Sequence, residues 1–350
     1  MVNPAPTMNQ RSPVRITLER EEVDRDAATA PVISVLIPCY NEEAFIADCI
    51  ESVICDFVLR NCEILVIDGG SADDTRRVVS ELAARYPIIR LLDNPGRLQA
   101  IGLNVGIKAA RGETIVRLDA HSTYPEGHVE RCCHAFENTD AANVGGVMVP
   151  VGSGLVQEAV AMAMAHPAGI GGSRFHLDNF SGYSDTAYLG TFRREILEKL
   201  GGYDPASHPA EDAELNCRII EMGERVYLDN SIRVDYRPRD TFPRLMKQFF
   251  WYGRGRCYVI LKHRRIFTAA RFAPPILVLT LLASLVLGID DRRWLLFPAA
   301  YSVALLVVAG SMWWRERNWL RRTVVQTGVL GTMHVAYGTG FLLKLLHILP

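Results

Sequence analysis

The stretch that decides the fold is ETIVRLDAHS, residues Glu113 to Ser122. Its apolar, β-branched part, residues 114–118, predicts a strand buried within a parallel sheet. Ligands of open α/β sheets bind beyond the carboxyl ends of the strands, which is where Asp119 and His121 stand. On an extended segment these two side chains point to the same side and could hold one divalent cation. An isolated Asp-x-His is more often a strand-end aspartate that caps the next turn, so the interpretation depends on the surrounding sequence.

Composition limits the class of protein. The 350 residues are 49% hydrophobic and 22% charged, enough for a full core, and two domains are a fair expectation. The net charge of −1 indicates no particular partner. Eight cysteines without a C-x-x-C pair, and an N-terminus without an apolar run, predict reduced thiols in the cytosol. A mean hydropathy of +0.08 is high for a soluble enzyme, and the excess after residue 270 indicates membrane spans.

Strand and helix patterns alternate after a polar segment, residues 1–30, that predicts a mobile tail. Strands are predicted at 32–38, 63–68, 88–92 and up to Asp119. The helices between them are predicted to begin at Asn41, at Ser71 and at about residue 97. This β-α repetition predicts an α/β domain with a mostly parallel, doubly wound sheet over residues 31–240.

The turns after the strands carry no G-x-G-x-x-G and no G-x-x-x-x-G-K-[ST], so neither dinucleotide nor P-loop chemistry is indicated. Tyr40 could instead stack on a nucleotide base, and Asp68 could accept a hydrogen bond from a base N–H. The alternative is that Tyr40 packs under its loop and Asp68 caps its turn.

Six motifs occur in an order that resembles the inverting family 2 glycosyltransferases of the GT-A fold, and more narrowly the succinoglycan-biosynthesis glucosyltransferases. They are IPCYNEE (37–43), VIDGGSADDT (66–75), NPGRLQAIGLNVGI (94–107), VRLDAHS (116–122), GGYDP (201–205) and AEDAELNCRI (210–219). The resemblance covers roughly residues 32–256, and six ordered motifs are far more specific than any one of them.

The resemblance implies roles for individual residues. The donor nucleotide sugar is held by Pro38, Tyr40, Glu42, Asp68, Arg97 and Asp119. Asp119, together with His121, holds the Mg²⁺ or Mn²⁺ that binds the diphosphate. Asp212 is the catalytic base, with Glu211 beside it.

Inverting transfer requires these residue types. An acceptor hydroxyl displaces a nucleoside diphosphate in line, so a cation must neutralise the leaving group and a base must remove the hydroxyl proton. Asp212 suits the second role at the start of a predicted helix, where general-base assistance contributes roughly 10²–10⁴-fold. The alternative is that Glu211 and Asp212 only stabilise the helix dipole.

Three positions depart from the family pattern. Gly69 follows Asp68 where many relatives have a second acid, and His121 stands where the metal pair often has its second acid. Trp251 stands where processive relatives have Arg in a Gln/Arg-x-x-Arg-Trp motif, which argues against a processive polymerase.

The segment of residues 150–205 is assigned to the acceptor, and its glycines at 169, 171 and 172 predict a loop that closes over substrate. The residues there that could meet a sugar or phosphate are His166, Arg174, His176, Asp185 and Arg193. For each one alone, a solvated or locally paired role is the more common alternative.

The C-terminal third predicts membrane attachment. Residues 237–271 carry ten Lys/Arg against the single acid Asp240, and the part from 241 to 271 predicts a basic-aromatic interfacial helix on anionic lipid. Uncharged segments at 272–289, 294–314 and 323–343 are long enough to span a membrane, which predicts a membrane domain over 272–350. These apolar segments disfavour nucleic-acid binding, the rival interpretation of a basic-aromatic stretch.

The positive-inside rule orients these spans. The loop 290–293 is neutral and the loop 315–322 holds four arginines and one Glu, which places the catalytic domain in the cytoplasm. The C-terminus then lies outside, or inside if 323–343 is only re-entrant. The sequence thus predicts a plasma-membrane, multi-pass enzyme.

Together these features predict transfer of a hexose such as glucose from a nucleoside-diphosphate sugar, with UDP the expected nucleotide, to a lipid-linked glycan in exopolysaccharide or cell-surface polysaccharide synthesis. Membrane lipids are expected partners and nucleic acid is not. The alternatives are a polyprenyl-phosphate sugar synthase and a catalytically silent scaffold with the same fold.

Overall fold

The strands and helices follow the predicted alternation as far as residue 117. The computed structural model describes residues 32–54, 61–170, 180–264 and 269–348. The predicted tail, Arg174 and His176 lie outside these ranges. The strands are β1 (Ile33–Cys39), β2 (Cys62–Asp68), β3 (Ile89–Asp93), β4 (Thr114–Arg117), β5 (Asn143–Pro150), β6 (Gly182–Tyr183), β7 (Tyr188–Arg193) and β8 (Val226–Tyr236). The helices are α1 (Ile46–Ile54), α2 (Thr75–Arg85), α3 (Gln99–Ala109), α4 (His128–Glu137), α5 (Leu155–Met164), α6 (Pro167–Ile170), α7 (Arg194–Lys199), α8 (Glu211–Glu221), α9 (Phe242–His263), α10 (Ala273–Leu287), α11 (Leu296–Trp313) and α12 (Trp319–Leu345).

The sheet has the order β3-β2-β1-β4-β7-β5-β8-β6. The first four strands are parallel, and the register pairs Cys39 with Asp68 and Asp68 with Asp93. Their carboxyl ends therefore meet at one edge, as the sequence predicts. Strand β7 is antiparallel to both β4 and β5, β8 is parallel to β5, and β6 is antiparallel to β8. The predicted α/β fold with a mostly parallel sheet is therefore confirmed, with antiparallel pairs confined to the half that contains β7 and β6.

Alternating side chains of the central strands build a core on each face of the sheet. Val35 and Ile37 of β1 pack with α1 and α2 on one face. Leu36 packs with α3 on the other face, where Leu215 of α8 joins the same cluster. Because the strands are buried on both faces, they read as continuous apolar runs.

Two predicted helix starts are wrong. The carboxamide oxygen of Asn41 accepts from the backbone N–H of Ala72, so Asn41 ties two turns together and α1 begins five residues later, at Ile46. The Ser71 hydroxyl donates to Asp68, and α2 begins only at Thr75. In both cases a polar side chain that could cap a helix binds the neighbouring turn at the sheet edge instead.

The C-terminal helices pack on the sheet domain, and Pro31–Pro350 forms one compact unit. Two helices of the described chain, Ala270–Leu287 and Arg292–Trp313, are long and apolar enough to cross a membrane, with only 17% and 11% of their residues buried. The segment 323–343 lies within α12, which packs along α9. A Cβ atom at Gly340 would lie 2.0 Å from the carbonyl oxygen of Phe250, so the two helix backbones are in direct contact.

Helix α9 covers most of the stretch that was predicted to lie on the membrane surface. It packs more extensively on other helices and on the sheet domain than this prediction implies. Leu245 and Phe249 are buried in the cluster shared with α5 and α12. Lys262 pairs with Asp204 and with the fully buried Glu214 of α8. Part of the basic charge of α9 therefore faces acids of the sheet domain. The predicted divisions at residues 240 and 271 remain predictions.

Candidate active site

Asp119 stands just beyond the end of β4, at the edge where the parallel strands end. Its backbone N–H donates to the hydroxyl of Tyr124 at 2.7 Å, and that hydroxyl donates to the Asp119 carbonyl at 3.1 Å. The side chain is almost buried, at 12% exposed. Tyr124, itself buried, thus fixes the backbone from which the carboxylate projects.

Three side chains from three elements hold the Asp119 carboxylate. Oδ1 accepts from Arg117 Nη2 at 3.2 Å and from Gln99 Nε2 at 3.3 Å. Oδ2 accepts from the Tyr188 hydroxyl at 3.5 Å, the longest of the three contacts. Oδ2 is therefore the oxygen most readily available to a ligand.

Arg117 links Asp119 to Asp212. Its Nη1 atom contacts Asp212 Oδ1 while Nη2 contacts Asp119, and the side chain is only 6% exposed. Burial opposes the charge, but the Asp212 and Asp119 carboxylates hold the pKa of Arg117 well above its usual value. The Nε atom has no hydrogen-bond partner within the described chain. Arg117 was not predicted as a site residue, although a charged residue inside an otherwise apolar strand was a visible signal.

Asp212 is the second residue of α8, as the sequence predicts for the base. Burial raises its pKa, and the negative charges of Glu211 and Asp119 add to this effect while Arg117 opposes it. The side chain remains 35% exposed, so a substrate can reach it. A carboxylate with a raised pKa, partly open to solvent, is chemically suited to accept a proton.

Glu211 points to a different partner. Its Oε1 atom lies 2.7 Å from Nδ1 of His208, and its side chain is buried. Burial alone would raise the pKa of Glu211, but the contact with His208 brings it below its usual value. Adjacent acids at one helix start are therefore in unlike environments, and Asp212 is the more open of the two.

The segment from Asp119 to His121 is a turn and not an extended strand, so that part of the prediction is wrong, while the role of His121 toward a metal remains a prediction. Strand β4 ends at Arg117, and the N–H of Ser122 donates to the Asp119 carbonyl at 3.2 Å in a turn. The imidazole is half exposed, and its Nδ1 atom lies 3.3 Å from Glu42. The hydrogen bond to Glu42 raises the pKa of His121 in spite of its desolvation.

A divalent cation fits this edge only with help from a substrate. Within the described ranges no group of three His, Cys, Asp or Glu side chains is placed to hold a metal. Asp119 nevertheless offers one weakly bonded carboxylate oxygen in a nearly dry position. Mg²⁺ sites built from one or two carboxylates and substrate phosphates have this character.

The predicted donor-binding residues gather at the same edge. Tyr40, 48% exposed, follows β1 and lies against Gly69. Pro38 pairs with Ile67 in the register, and Glu42 follows in the same turn. Arg97 is exposed, with Nε 3.9 Å from where a Cβ would stand at Gly70. Their roles toward a nucleotide remain predictions.

The carboxylate of Asp68 is hydrogen-bonded within the protein, which agrees with the alternative that Asp68 caps its turn. Its carboxylate accepts from Ser71 and from the backbone N–H of Gly70, and pairs with Arg76 at 2.8 Å. Burial opposes its ionisation, but these donors hold the pKa of Asp68 below its usual value. Asp68 therefore stabilises the turn that follows β2.

Helix α9 places aromatic side chains near the start of α8. In the sequence, this part of α9 is recognisable only as the Gln/Arg-x-x-Arg-Trp motif in which Trp251 replaces Arg. Trp251 lies 6.4 Å from the His208 ring, and Arg254 stacks over Trp251 at 4.7 Å. Gln248 donates to the hydroxyls of Tyr236 and Tyr252, at 2.6 and 2.9 Å. Through Trp251, α9 therefore reaches His208, the residue that pairs with Glu211 at the start of α8.

Three residues of the predicted acceptor segment have partners inside the protein. His166 accepts from the N–H of Ala168, and Asp185 pairs with Arg271. Arg193 stacks over a phenylalanine ring of α4 at 5.7 Å. These contacts correspond to the locally paired alternative.

Known proteins resemble this chain in sequence. The model of the family described as glycosyl transferase family 2 matches residues 34–201. The chain is 30% identical to "Succinoglycan biosynthesis protein ExoA" of Rhizobium meliloti (strain 1021), over 92% of this chain and 97% of the relative. It is 27% identical to "Dolichyl N-acetyl-alpha-D-glucosaminyl phosphate 3-beta-D-2,3-diacetamido-2,3-dideoxy-beta-D-glucuronosyltransferase" of Methanococcus voltae, over 66% of this chain and 74% of the relative.

Among solved structures, the chain is similar to the mannosyltransferase PcManGT of Pyrobaculum calidifontis in complex with GDP-Man and Mn²⁺. The TM-score is 0.59 at 20% identity, over 91% of this chain and 88% of that one. This likeness shows the GT-A fold. With the family model and the relative that spans nearly the whole chain, it follows that the protein is a member of glycosyl transferase family 2.

Proposed function

We propose that this protein is an inverting, metal-dependent hexosyltransferase that moves a sugar from a nucleoside-diphosphate donor to a lipid-linked glycan acceptor at the membrane. The observation that carries the proposal is the buried link from Asp119 through Arg117 to Asp212. It connects a carboxylate at the edge where the parallel strands end, at which we propose the diphosphate binds, to a partly open carboxylate on α8. In this proposal Asp119, which serves the leaving group, and Asp212, which takes the proton, are joined by the same buried arginine.

On the donor side, Tyr40, Asp68 and Arg97 surround the edge after β1 and β2. The exposed ring of Tyr40 is free to stack on a base, and the exposed guanidinium of Arg97 can meet a phosphate. UDP-glucose is the donor that we propose to test first.

Asp119 would hold Mg²⁺ or Mn²⁺, with His121 and Glu42 within reach of the same edge. When bound, the ion neutralises the charge that develops on the leaving diphosphate. The hydrogen bonds from Gln99, Arg117 and Tyr188 keep the Asp119 carboxylate oriented toward that edge.

Asp212 would act as the base that removes the proton of the acceptor hydroxyl. Burial raises the pKa of Asp212, which favours proton uptake, while the Arg117 cation favours the ionised form and orients the carboxylate. A single in-line displacement inverts the configuration at the anomeric carbon, and it requires only one base and one leaving group.

A lipid-linked acceptor is supported by the membrane helices and by the Methanococcus voltae relative, whose name states transfer to a dolichyl-linked sugar phosphate. The apolar surfaces of α10 and α11 are open on most sides, as a membrane span requires. We therefore propose a cell-membrane enzyme with its catalytic edge in the cytoplasm, acting in surface or exopolysaccharide synthesis.

The test is hydrolysis of UDP-glucose, and transfer from it, by the full chain in lipid nanodiscs with and without Mn²⁺ and a membrane lipid extract. We expect slow Mn²⁺-dependent release of UDP that accelerates with extract. Sugar recovered on polyprenyl monophosphate would favour the polyprenyl-phosphate synthase instead. Absence of UDP release from a panel of nucleotide sugars, with the protein folded, would favour a silent scaffold.

A further inference from the structure

The connection between α11 and α12 concentrates arginine and tryptophan where a candidate membrane span ends. Its sequence RERNWLRR, residues 315–322, holds four arginines and one glutamate. Arg315 stacks over Trp314 at 4.6 Å and Arg322 over Trp313 at 4.5 Å. Trp314 is strongly exposed. Exposed tryptophans and arginines at the end of an apolar helix are typical of the membrane–water interface.

Beside this connection lies a cavity of about 170 Å³, lined by Leu155, Glu158, Asn318, Arg321 and Arg322. The Glu158 carboxylate is neutralised by an ion pair with Arg322. Arg321 has no ion pair within the part of the chain that the structure describes, so the cavity presents one uncompensated guanidinium. A guanidinium with five N–H donors, beside the Asn318 amide, suits a phosphate.

We propose that this cavity, the α5–α12 pocket, binds the phosphate of an anionic phospholipid headgroup. The proposal rests on the membrane attachment in the proposed function. A lipid is favoured over free phosphate because Asn318, Arg321 and Arg322 follow directly after the candidate membrane span that ends at Trp313, and the exposed Trp314 is typical of the membrane–water interface.

Helix α5, which contributes to the pocket, is also linked to the segment that follows β8. Gln157, next to Glu158 on α5, donates to the carbonyl of Pro238 at 3.0 Å. Pro238 lies just beyond β8, whose last residue, Tyr236, accepts the hydrogen bond from Gln248. A headgroup in the α5–α12 pocket would therefore bind α5, which is hydrogen-bonded to the segment that follows β8.

The test uses native mass spectrometry of the full chain released from nanodiscs of phosphatidylcholine with about 30% phosphatidylglycerol, a composition that gives an anionic surface. We expect the wild type to retain phosphatidylglycerol over phosphatidylcholine. Arg321→Gln should reduce that preference about five-fold, the effect of one arginine near an anionic surface. Arg321→Lys should restore most of it. The matched control is Arg292→Gln, an exposed arginine at the opposite end of α11.

Equal losses in Arg321→Gln and Arg292→Gln would overturn the proposal, since the effect would then be general surface charge. Displacement of the lipid by millimolar inorganic phosphate would also overturn it, in favour of a free-anion site. The outcomes are separate from those for the proposed function, because lipid retention is measured without donor. A protein that retains phosphatidylglycerol but releases no UDP supports the pocket and contradicts the transferase assignment.

Discussion

The guanidinium of Arg117 contacts the carboxylate of Asp212, although the two residues are 95 positions apart in the sequence. The same guanidinium contacts Asp119, two positions beyond it. One buried cation therefore compensates both of the carboxylates to which the sequence assigns chemistry. Replacing either carboxylate leaves the cation with a single partner, so the effects of the substitutions should be coupled.

Asp212→Asn should lower kcat and kcat/KM by similar factors, roughly 10²-fold or more, because a base acts only in the transition state. Donor affinity, measured by UDP-glucose titration, should change little. In the wild type, kcat should fall as the pH falls through the pKa of Asp212, which burial places above the ordinary value for an aspartate.

Glu211→Gln is the matched control for Asp212→Asn. Since Glu211 pairs with His208 instead of facing the open site, its replacement should affect stability more than turnover. A larger loss of kcat in Glu211→Gln than in Asp212→Asn would move the base assignment by one residue. Loss of donor binding or of folding in Asp212→Asn would instead indicate a helix-capping role.

Arg117→Met should destabilise the protein by about 3 kcal/mol, the low end of the range for breaking a buried ion pair, because Asp212 is partly open to water. Arg117→Lys should fold but lose much of kcat, since one ammonium group cannot span both carboxylates in the geometry of a guanidinium. Chemical unfolding and steady-state kinetics measure the two effects separately.

Arg90→Lys is the control for Arg117→Lys, because Arg90 pairs with buried Glu63 away from the predicted site residues. It should leave kcat unchanged. If Arg117→Lys also turned over at the wild-type rate, Arg117 would be a structural cation only.

The sequence predicted the parallel half of the sheet and the position of Asp119 because both depend on local patterns. An apolar run followed by a polar turn requires no knowledge of distant residues. Strand β7 could not be predicted in the same way, since its place between β4 and β5 depends on pairings across the whole sheet. The partners of Asp119 from β7 and α3 were missed for the same reason.

The C-terminal helices show the same limit. The uncharged segment at 323–343 has the composition of a span, yet α12 covers Leu245 and Phe249 of α9. Hydropathy does not distinguish lipid from another helix as the apolar neighbour. The close contact depends on glycines in both helices, whose significance appears only once the helices are paired.

Asp119→Ala should abolish the contribution of Mn²⁺ to UDP affinity, because Asp119 Oδ2 makes only one long hydrogen bond and can bind a cation. His121→Ala should weaken it less, because His121 is half exposed and pairs with Glu42. Calorimetric titration of UDP with and without Mn²⁺ measures both. Metal-assisted affinity that is unchanged in Asp119→Ala would remove Asp119 from the metal site.

Gly253→Ala and Gly340→Ala should each destabilise the packing of α9 on α12. A Cβ at Gly253 would lie 2.0 Å from the carbonyl oxygen of Tyr337, and one at Gly340 equally close to that of Phe250. Backbone oxygens cannot rotate away, so the helices must separate, at a cost of about 1–3 kcal/mol typical of overpacking. Gly310→Ala on α11 is the control, because its Cβ would meet only Thr323 Cγ2, at 3.9 Å, and alanine favours the helix. Thermal unfolding in nanodiscs should therefore give lower midpoints for Gly253→Ala and Gly340→Ala than for the wild type. The midpoint of Gly310→Ala should be unchanged or higher. Equal midpoints in all three variants would mean that α9 and α12 are not in direct backbone contact.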